Sequence, residues 1–204
     1  MTERKKKTQT LSDKVKIIPL GGMDYIGMNM TAIEYEDSII VVDCGMAFAD
    51  DSLLGIDLII PDISYLKQNK QKVKGYYITH GHEDHIGAVP YILREVNAPV
   101  YGTKLSIALI QKKLAEHGME TLVKTKVVTY GEKLKAGKFS IEFIRTNHSI
   151  SDAAALAITC PAGTIVQTGD FKVDYTPVYG DAIDLWRLAE LGKKGILAVM
   201  SSRV

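Results

Sequence analysis

The segment 79–85, with the sequence THGHEDH, contains three of the chain's 5 histidines. His80 and His82, two positions apart, can converge on one ion in an extended or turn conformation. Asp84 and His85 follow within a few residues, at the predicted start of a helix, and could face a second ion. Imidazole and carboxylate groups suit zinc or a similar divalent metal. The spacing therefore predicts a metal site in this segment.

Two further candidate ligands lie later in the chain, each after a predicted strand. His148 falls in the segment RTNHSISDA, and Asp170 follows Gly169 in TIVQTGDFK. A carboxylate at Asp170 could bridge two metals about 3.5–4 Å apart, which is the spacing in two-metal hydrolases. Taken alone, His148 and Asp170 are equally compatible with structural roles, since a Gly-Asp turn is a common capping device. His117, beside Gly118 at a predicted helix end, is interpreted as an ordinary surface or core histidine.

The elements that must position these side chains are mostly strands. The segment 73–79, VKGYYIT, predicts a strand that ends at the histidine cluster. Two runs around Glu36-Asp37 predict a hairpin whose second arm is apolar throughout, and therefore buried on both faces. Asp181 and Gly192 are the predicted start and stop of the last helix. The other predictions are strands at 15–20, 124–129, 139–144, 153–159, 164–167 and in GILAVM, and helices in GAVPYILREV and TKLSIALIQKKLAEHG.

Composition limits the fold and the function classes. The 204 residues, 46% of them hydrophobic, suffice for one domain with a sizeable core, and the excess of strands over helices favours an α+β layered domain. With 25 basic and 24 acidic residues, the net charge of +1 does not indicate a polyanion partner for the chain as a whole. The sequence shows neither a signal-peptide core nor a membrane-spanning apolar run, which predicts a cytoplasmic protein with no membrane partner.

The chain is expected to contain one domain behind a short tail. Residues 1–13 are polar and basic and predict a disordered tail, and residues 14–204 form the predicted domain. Cys44 and Cys160 lie in apolar runs and are predicted to be buried free thiols, as expected in a reducing cytoplasm.

The motifs DCG, THGHEDHIGA, TNHS and TGDFK, in this order, resemble those of the metallo-β-lactamase superfamily. The flanking segments GIDLIIPDISYL, HSISDAAALAI and DLWRLAELGKKGIL are similar to the bacterial ribonuclease J family, a branch of the β-CASP nucleases. The resemblance runs from Lys14 to Met200. It implies a metallo-β-lactamase-like αββα four-layer sandwich. This chain would be its incomplete N-terminal part, with the C-terminal part and the β-CASP domain absent.

The resemblance also implies roles for six side chains around two divalent metal ions, with zinc as the first expectation and manganese as the alternative. Asp84 and Asp170 would be the catalytic carboxylates. Asp43 would brace the histidine loop, and the alternative interpretation is a turn aspartate before Gly45. The first ion would be held by His80, His82 and His148, and the second by Asp84 and His85, with Asp170 bridging the two.

The implied activity is that of a metal-dependent ribonuclease in RNA processing and decay. A hydroxide held by two metals would hydrolyse phosphodiesters, 5′-to-3′ from a 5′-monophosphate end and also internally. For the full-length protein, the resemblance implies RNA as a partner, and a homo-oligomer or an RNA-decay assembly. Two alternatives stay open: a metallo-β-lactamase-fold hydrolase of small esters or thioesters, and a non-catalytic truncated subunit.

The sequence differs from the ribonuclease J pattern in a loop expected near the site. The segment GGMDYIGMNM has Asp24-Tyr25 and Met28 where that family has Gly-Glu and Lys. Ser151 replaces a usual proline and Gln167 a usual histidine. The differences from Asp24 to Met28 concern expected RNA contacts, whereas all six predicted metal ligands are retained.

Overall fold

The structure is a computed structural model that describes residues 14–23, 26–49 and 53–201. The predicted tail 1–13 and the Asp24-Tyr25 pair lie outside these ranges. The strands are β1 (Lys16–Gly21), β2 (Met30–Tyr35), β3 (Ser38–Val42), β4 (Ala47–Phe48), β5 (Leu58–Ile59), β6 (Val73–Tyr77), β7 (Val100–Gly102), β8 (Thr125–Val127), β9 (Lys133–Ala136), β10 (Phe139–Arg145), β11 (Ala154–Cys160), β12 (Gly163–Gln167) and β13 (Ala198–Met200). The helices are α1 (Ser64–Gln68), α2 (Glu83–Ile86), α3 (Val89–Glu95), α4 (Lys104–Glu116) and α5 (Leu185–Lys194), with a 3₁₀ turn at Lys70–Lys72.

These strands form two main sheets and one small one. The first sheet has six strands in the order β1-β2-β3-β6-β7-β8, and the second has five in the order β13-β12-β11-β10-β9. The pair β4-β5 is separate. In the first sheet the β1-β2-β3 pairs are antiparallel, and β3, β6, β7 and β8 are parallel. The predicted α+β class is consistent with this mixture of pairings.

The first sheet is covered on both faces. Ile39 and Val41 of β3 pack with the helices α1, α3 and α4, whereas Ile40 and Val42 pack against the second sheet. Successive side chains of a strand point to opposite faces, so a strand between two apolar layers must be apolar throughout. All five positions of β3 are buried, as the sequence predicted.

The second sheet is covered on its outer face by α5. Ile141 and Phe143 of β10 lie between the two sheets, whereas Leu191 of α5 packs in a separate cluster on the outer face. The Arg187 guanidinium of α5 donates two hydrogen bonds, of 2.7 and 2.8 Å, to the Glu142 carboxylate of β10. The described residues therefore stack as helices, sheet, sheet and helix.

The predicted boundaries of the last helix were wrong. Its N-cap is Asp184, whose carboxylate accepts a hydrogen bond of 2.9 Å from the Arg187 backbone N–H. The predicted cap, Asp181, forms an ion pair with Arg145 instead. Gly192 lies inside α5, and the chain leaves the helix at Gly195. An aspartate N-cap accepts a hydrogen bond from the backbone N–H three positions later. Both Asp181 and Asp184 precede such an N–H, so this rule alone does not distinguish them.

Both cysteines of the chain are buried thiols. Cys44 and Cys160 are free and buried, as predicted. Burial raises the pKa of the Cys44 thiol, because the charged thiolate is disfavoured away from water. Across the described ranges, no helix combines the length and apolar character needed to cross a membrane.

Strand pairing brings the ends of β3 and β6 to one edge of the first sheet. Val42 pairs with Tyr77 in parallel register, so the residues that follow these two strands are neighbours. The backbone N–H of Ala154, at the start of β11, donates to the carbonyl of Thr79 over 2.9 Å. The second sheet is thereby joined to the first at the same edge, where the histidine segment begins.

Candidate metal centre

Four histidines meet at this edge, and His80 lies at the centre of the group. Its ring centroid is 4.7 Å from that of His82, 4.0 Å from that of His85 and 4.9 Å from that of His148. His80 is completely buried, whereas the His148 side chain is 9% exposed. The structure therefore brings His148, from the loop after β10, together with the segment 79–85.

The two aspartates predicted as catalytic groups also lie in this cluster. A carboxylate oxygen of Asp170 is 3.6 Å from His85 Nε2 and 3.7 Å from His148 Nε2, which places Asp170 between two histidines. An Asp84 carboxylate oxygen is 3.6 Å from the same His85 nitrogen. Gly169, before Asp170, has φ +58°, and a Cβ there would lie 2.8 Å from Thr79 Cβ. A glycine is thus required for Asp170 to approach the histidines.

The donor atoms fit divalent metal ions. His80, His82 and His148 form one triad and His80, His85 and Asp170 another; within each, the donor atoms lie within 4.8 Å of one another. Nitrogen and carboxylate donors in such groups suit zinc and related divalent ions. His80 belongs to both triads, whereas the sequence-based assignment gave it to the first ion alone. Asp84 belongs to neither triad and lies beside His85, so the assignment of ligands to ions stays a prediction.

Asp43 supports the cluster from behind. Its buried carboxylate accepts hydrogen bonds from His85 Nδ1 (2.8 Å), from the Thr79 backbone N–H (2.7 Å) and from the Thr79 hydroxyl (2.9 Å). Because Nδ1 of His85 is engaged, its Nε2 is directed to the carboxylates of Asp84 and Asp170. Asp43 has φ +58°, a left-handed conformation that is uncommon for aspartate and is held by these bonds.

Gly45 allows the DCG segment to approach the histidine helix α2. A Cβ at this position would lie 1.6 Å from the Asp84 carbonyl oxygen, so only glycine fits. The neighbouring Cys44 N–H donates to the His85 carbonyl over 2.7 Å, and the Ala88 N–H donates to the Cys44 carbonyl over 2.9 Å. The DCG segment thus holds the C-terminal end of α2, where His85 lies.

Burial and the neighbouring charges set the protonation of the cluster. Burial opposes the charged form of His85, but the Asp43 and Asp170 carboxylates outweigh it and raise its pKa to about 10. Burial, reinforced by the charge of His85, lowers the pKa of His80 to about 2, and burial lowers the pKa of His148. Burial opposes ionisation of Asp170, but its contact with the charged His85, 3.6 Å away, outweighs burial and lowers the pKa of this carboxyl to about 2. His80 and His148 are therefore neutral and have a nitrogen lone pair available for a metal.

The sequence prediction missed two residues that hold the site. The Asn29 amide nitrogen is 3.2 Å from an Asp84 carboxylate oxygen and 3.1 Å from His85 Nε2. The Asn29 backbone N–H also donates to the Asp84 carbonyl over 2.9 Å. Thr79 was part of the predicted motif, but its bonds to Asp43 were not foreseen. The loop containing Asn29 was expected near the site, yet no local pattern links it to a residue 55 positions away.

Comparison with known proteins shows what the chain is similar to. The model of the Metallo-beta-lactamase superfamily matches residues 27–188. Ribonuclease J of Helicobacter pylori is 50% identical over 188 residues, covering 92% of this chain and 27% of that protein. Ribonuclease J of Synechocystis is 44% identical over 198 residues, covering 96% of this chain and 31% of that protein. The predicted resemblance to ribonuclease J is confirmed, and the chain spans about a third of the length of these curated relatives.

Solved structures show the same fold. Unliganded yeast PDE1 superposes with a TM-score of 0.61 at 14% identity, covering 92% of this chain and 74% of that one. The metallo-beta-lactamase fold protein YhfI from Bacillus subtilis gives a TM-score of 0.55 at 22% identity, covering 76% of this chain and 62% of that one. At such identities the likeness concerns the fold alone. It confirms the predicted metallo-β-lactamase fold.

Proposed function

This chain belongs to the metallo-beta-lactamase superfamily, and on that premise we propose that it supplies the catalytic metal centre of a metal-dependent ribonuclease of the J type. The substrate would be RNA, hydrolysed 5′-to-3′ from a 5′-monophosphate end and also internally. One observation carries the proposal: His80 lies within 5 Å, ring to ring, of three histidines that come from two separate segments.

The chain's own residues would hold two divalent ions, zinc in the first place and manganese as the alternative. His80, His82 and His148 would bind one ion, and His85, Asp84 and Asp170 the other. When bound, such ions lower the pKa of water to about 7 and neutralise charge on phosphate oxygens. Asp43 orients His85 by accepting a hydrogen bond from its Nδ1 over 2.8 Å, so that Nε2 would face the second ion once its own proton is displaced.

The charge of the site favours a phosphodiester over a thioester. Asp43, Asp84 and Asp170 bring at most three negative charges, fewer than the positive charges of two divalent ions. Before a hydroxide forms, the loaded site would therefore be positive and would attract an anionic phosphodiester, whereas a neutral thioester would be stabilised only as its oxyanion develops. This difference is the physical reason for ranking RNA above the small-ester alternative.

The remaining proposals concern the whole protein. RNA-decay assemblies and a homo-oligomer are the partners proposed for it, on the strength of the ribonuclease J relatives. A cytoplasmic location is proposed because Cys44 and Cys160 are free thiols, which a reducing compartment preserves.

A side-by-side assay tests the proposed reaction. Protein loaded with zinc or manganese is incubated with a 5′-monophosphorylated single-stranded RNA and, separately, with a small thioester. We expect RNA hydrolysis, no thioester turnover and two metal ions per chain by elemental mass spectrometry. Asp170→Asn should abolish the hydrolysis, while Asp37→Asn, an exposed aspartate in the turn between β2 and β3, should leave it unchanged.

Two results would contradict the proposal. Thioester turnover with intact RNA would favour the small-molecule hydrolase. A protein that holds two metal ions and binds RNA without cleaving it would instead favour the non-catalytic subunit.

A further inference from the structure

A polar pocket of about 410 Å³ opens beside His148. It is lined by Tyr130 and by residues from two loops, 145–152 after β10 and 172–181 after β12. We call it the His148 pocket, because this histidine belongs both to its lining and to the metal-ligand cluster. Its volume lies in the range of pockets that take small organic groups. Whatever occupies it lies next to the proposed reaction centre.

The walls of the His148 pocket are fixed by hydrogen bonds between the two loops. The Lys172 backbone N–H donates to the Asn147 carbonyl over 2.7 Å. The Asn147 side chain donates to the Asp181 carbonyl over 3.0 Å and accepts from the Ile183 N–H over 2.7 Å. Asn147 therefore ties both ends of the second loop to the end of β10. The pocket is preformed, so that a ligand need not order it.

The charges of the pocket argue against a phosphate as its ligand. Arg145 is paired with Asp181, and Lys172 Nζ lies 3.0 Å from an Asp174 carboxylate oxygen. Asp152 adds a third carboxylate to the lining, so that acidic groups outnumber the two cations. A phosphate would have to displace these ion pairs. An uncharged ligand would leave these ion pairs intact.

Flat side chains favour a planar ligand. The Arg145 guanidinium lies over the Tyr130 ring at 5.4 Å from its centroid, and both residues line the pocket. Tyr179 lines the rim with 75% of its surface exposed. Aromatic and guanidinium planes are the surfaces on which bases of single-stranded nucleic acids stack.

We propose that the His148 pocket binds one nucleobase of the RNA strand whose phosphodiester lies at the metal centre. The inference rests on the proposed ribonuclease function. The base stacks against Tyr179 and the Arg145–Tyr130 pair. The strand must therefore be unpaired at this nucleotide, because a base inside a duplex has no free face to stack.

An abasic scan tests this proposal by binding rather than by turnover. Metal-loaded protein is titrated with fluorescent, hydrolysis-resistant single-stranded RNAs, each lacking the base at a different position. We expect one position at which removal of the base weakens binding by about 5- to 100-fold. In Tyr179→Ala that penalty should largely disappear, whereas it should persist in Tyr175→Ala. Tyr175 is the matched control because it is 76% exposed in the same loop and does not line the pocket.

The outcomes distinguish this inference from the proposed function. If the protein cleaves RNA, but no abasic position is sensitive to Tyr179→Ala, the nucleobase pocket is wrong and the ribonuclease proposal stands. Inorganic phosphate could compete at the same place: if it displaced RNA from the wild type but not from Lys172→Met, the pocket would be a phosphate site. That result would also overturn the nucleobase pocket. If RNA is neither cleaved nor bound, both proposals fail together.

Discussion

The two ends of the first sheet bury carboxylates in opposite ways. At one end, Glu34 of β2 is 4% exposed and is bound by Lys72 Nζ at 2.6 Å, by Lys16 Nζ at 3.1 Å and by the Tyr65 hydroxyl. At the other end, Asp43 follows β3 and is bound by His85 and Thr79. Both are buried acids on one sheet, but their partners differ in kind.

The difference separates a structural charge cluster from a metal-binding one. Burial opposes ionisation of Glu34, yet the hydrogen bonds from Lys72, Tyr65 and Lys16 lower the pKa of this carboxyl from 4.5 to about 2. Its charge is neutralised by permanent cations of the protein itself. Within the described residues, Asp84 and Asp170 form their ion pairs with histidines. Histidines can give up a proton and bind a metal, which lysines seldom do.

The largest expected effect comes from removing the histidine common to both metal triads. His80→Ala should reduce the metal content from two ions to less than one per chain. RNA hydrolysis should fall by more than about 100-fold, because even the loss of a residue behind a ligand costs about 10- to 100-fold. Elemental mass spectrometry and the RNA assay measure the two effects.

His117→Ala is the control for this prediction. His117 packs against the Tyr91 ring at the end of α4, with the centroids 5.2 Å apart, and belongs to neither triad. Metal content and hydrolysis should stay at the wild-type level in this variant. Equal losses of metal and of RNA hydrolysis in both variants would mean that the histidine cluster is not the metal site.

A smaller effect is expected from the residue behind His85. Asp43→Asn should weaken metal binding by about 10- to 100-fold, since the imidazole loses the carboxylate that orients it. Glu34→Gln, at the other end of the sheet, should leave the metal affinity unchanged. Competition with a chromophoric chelator measures both affinities. If Glu34→Gln weakened metal binding as much as Asp43→Asn, the contrast between the two ends would be lost.

Glu34→Gln should instead destabilise the fold. Removing one partner of a buried, hydrogen-bonded charge cluster leaves Lys72 without its counter-ion. We expect a loss of about 2 kcal/mol in the free energy of unfolding, less than for a fully buried pair because the lysines can reach water. For a chain of this length, the melting temperature should fall by about 4–8 °C. Thermal unfolding followed by circular dichroism, with Asp37→Asn as control, measures the shift.

The smallest expected effect is the pH dependence contributed by Glu34. Its pKa is lower in the folded protein than the ordinary 4.5, so its stabilisation is complete above pH 4.5 and is lost as the pH falls toward 2. Between pH 5 and pH 3, the wild type should lose about 1 kcal/mol more than Glu34→Gln does. Urea unfolding at both pH values gives this difference. Parallel pH profiles for the two proteins would show that Glu34 is not the titrating group.

The sequence by itself determined the local features of the molecule. His80, His82, Asp84 and His85 lie within six positions, and their donor types alone indicate a metal. Apolar runs such as β3 predicted strands buried on both faces, because successive side chains of any strand point to opposite faces. These features depend on neighbours a few positions apart, and such neighbours are read directly from the chain.

Only the tertiary structure decided which distant residues complete the site. Sheet register puts Asp43 beside Thr79, 36 positions away, and loop packing puts Asn29 beside Asp84, 55 positions away. The sharing of His80 between both triads also follows from packing. Periodicities of 2 and 3.6 residues specify which side of a strand or helix is buried, but not which strand becomes its neighbour. That choice is made when the two sheets pack.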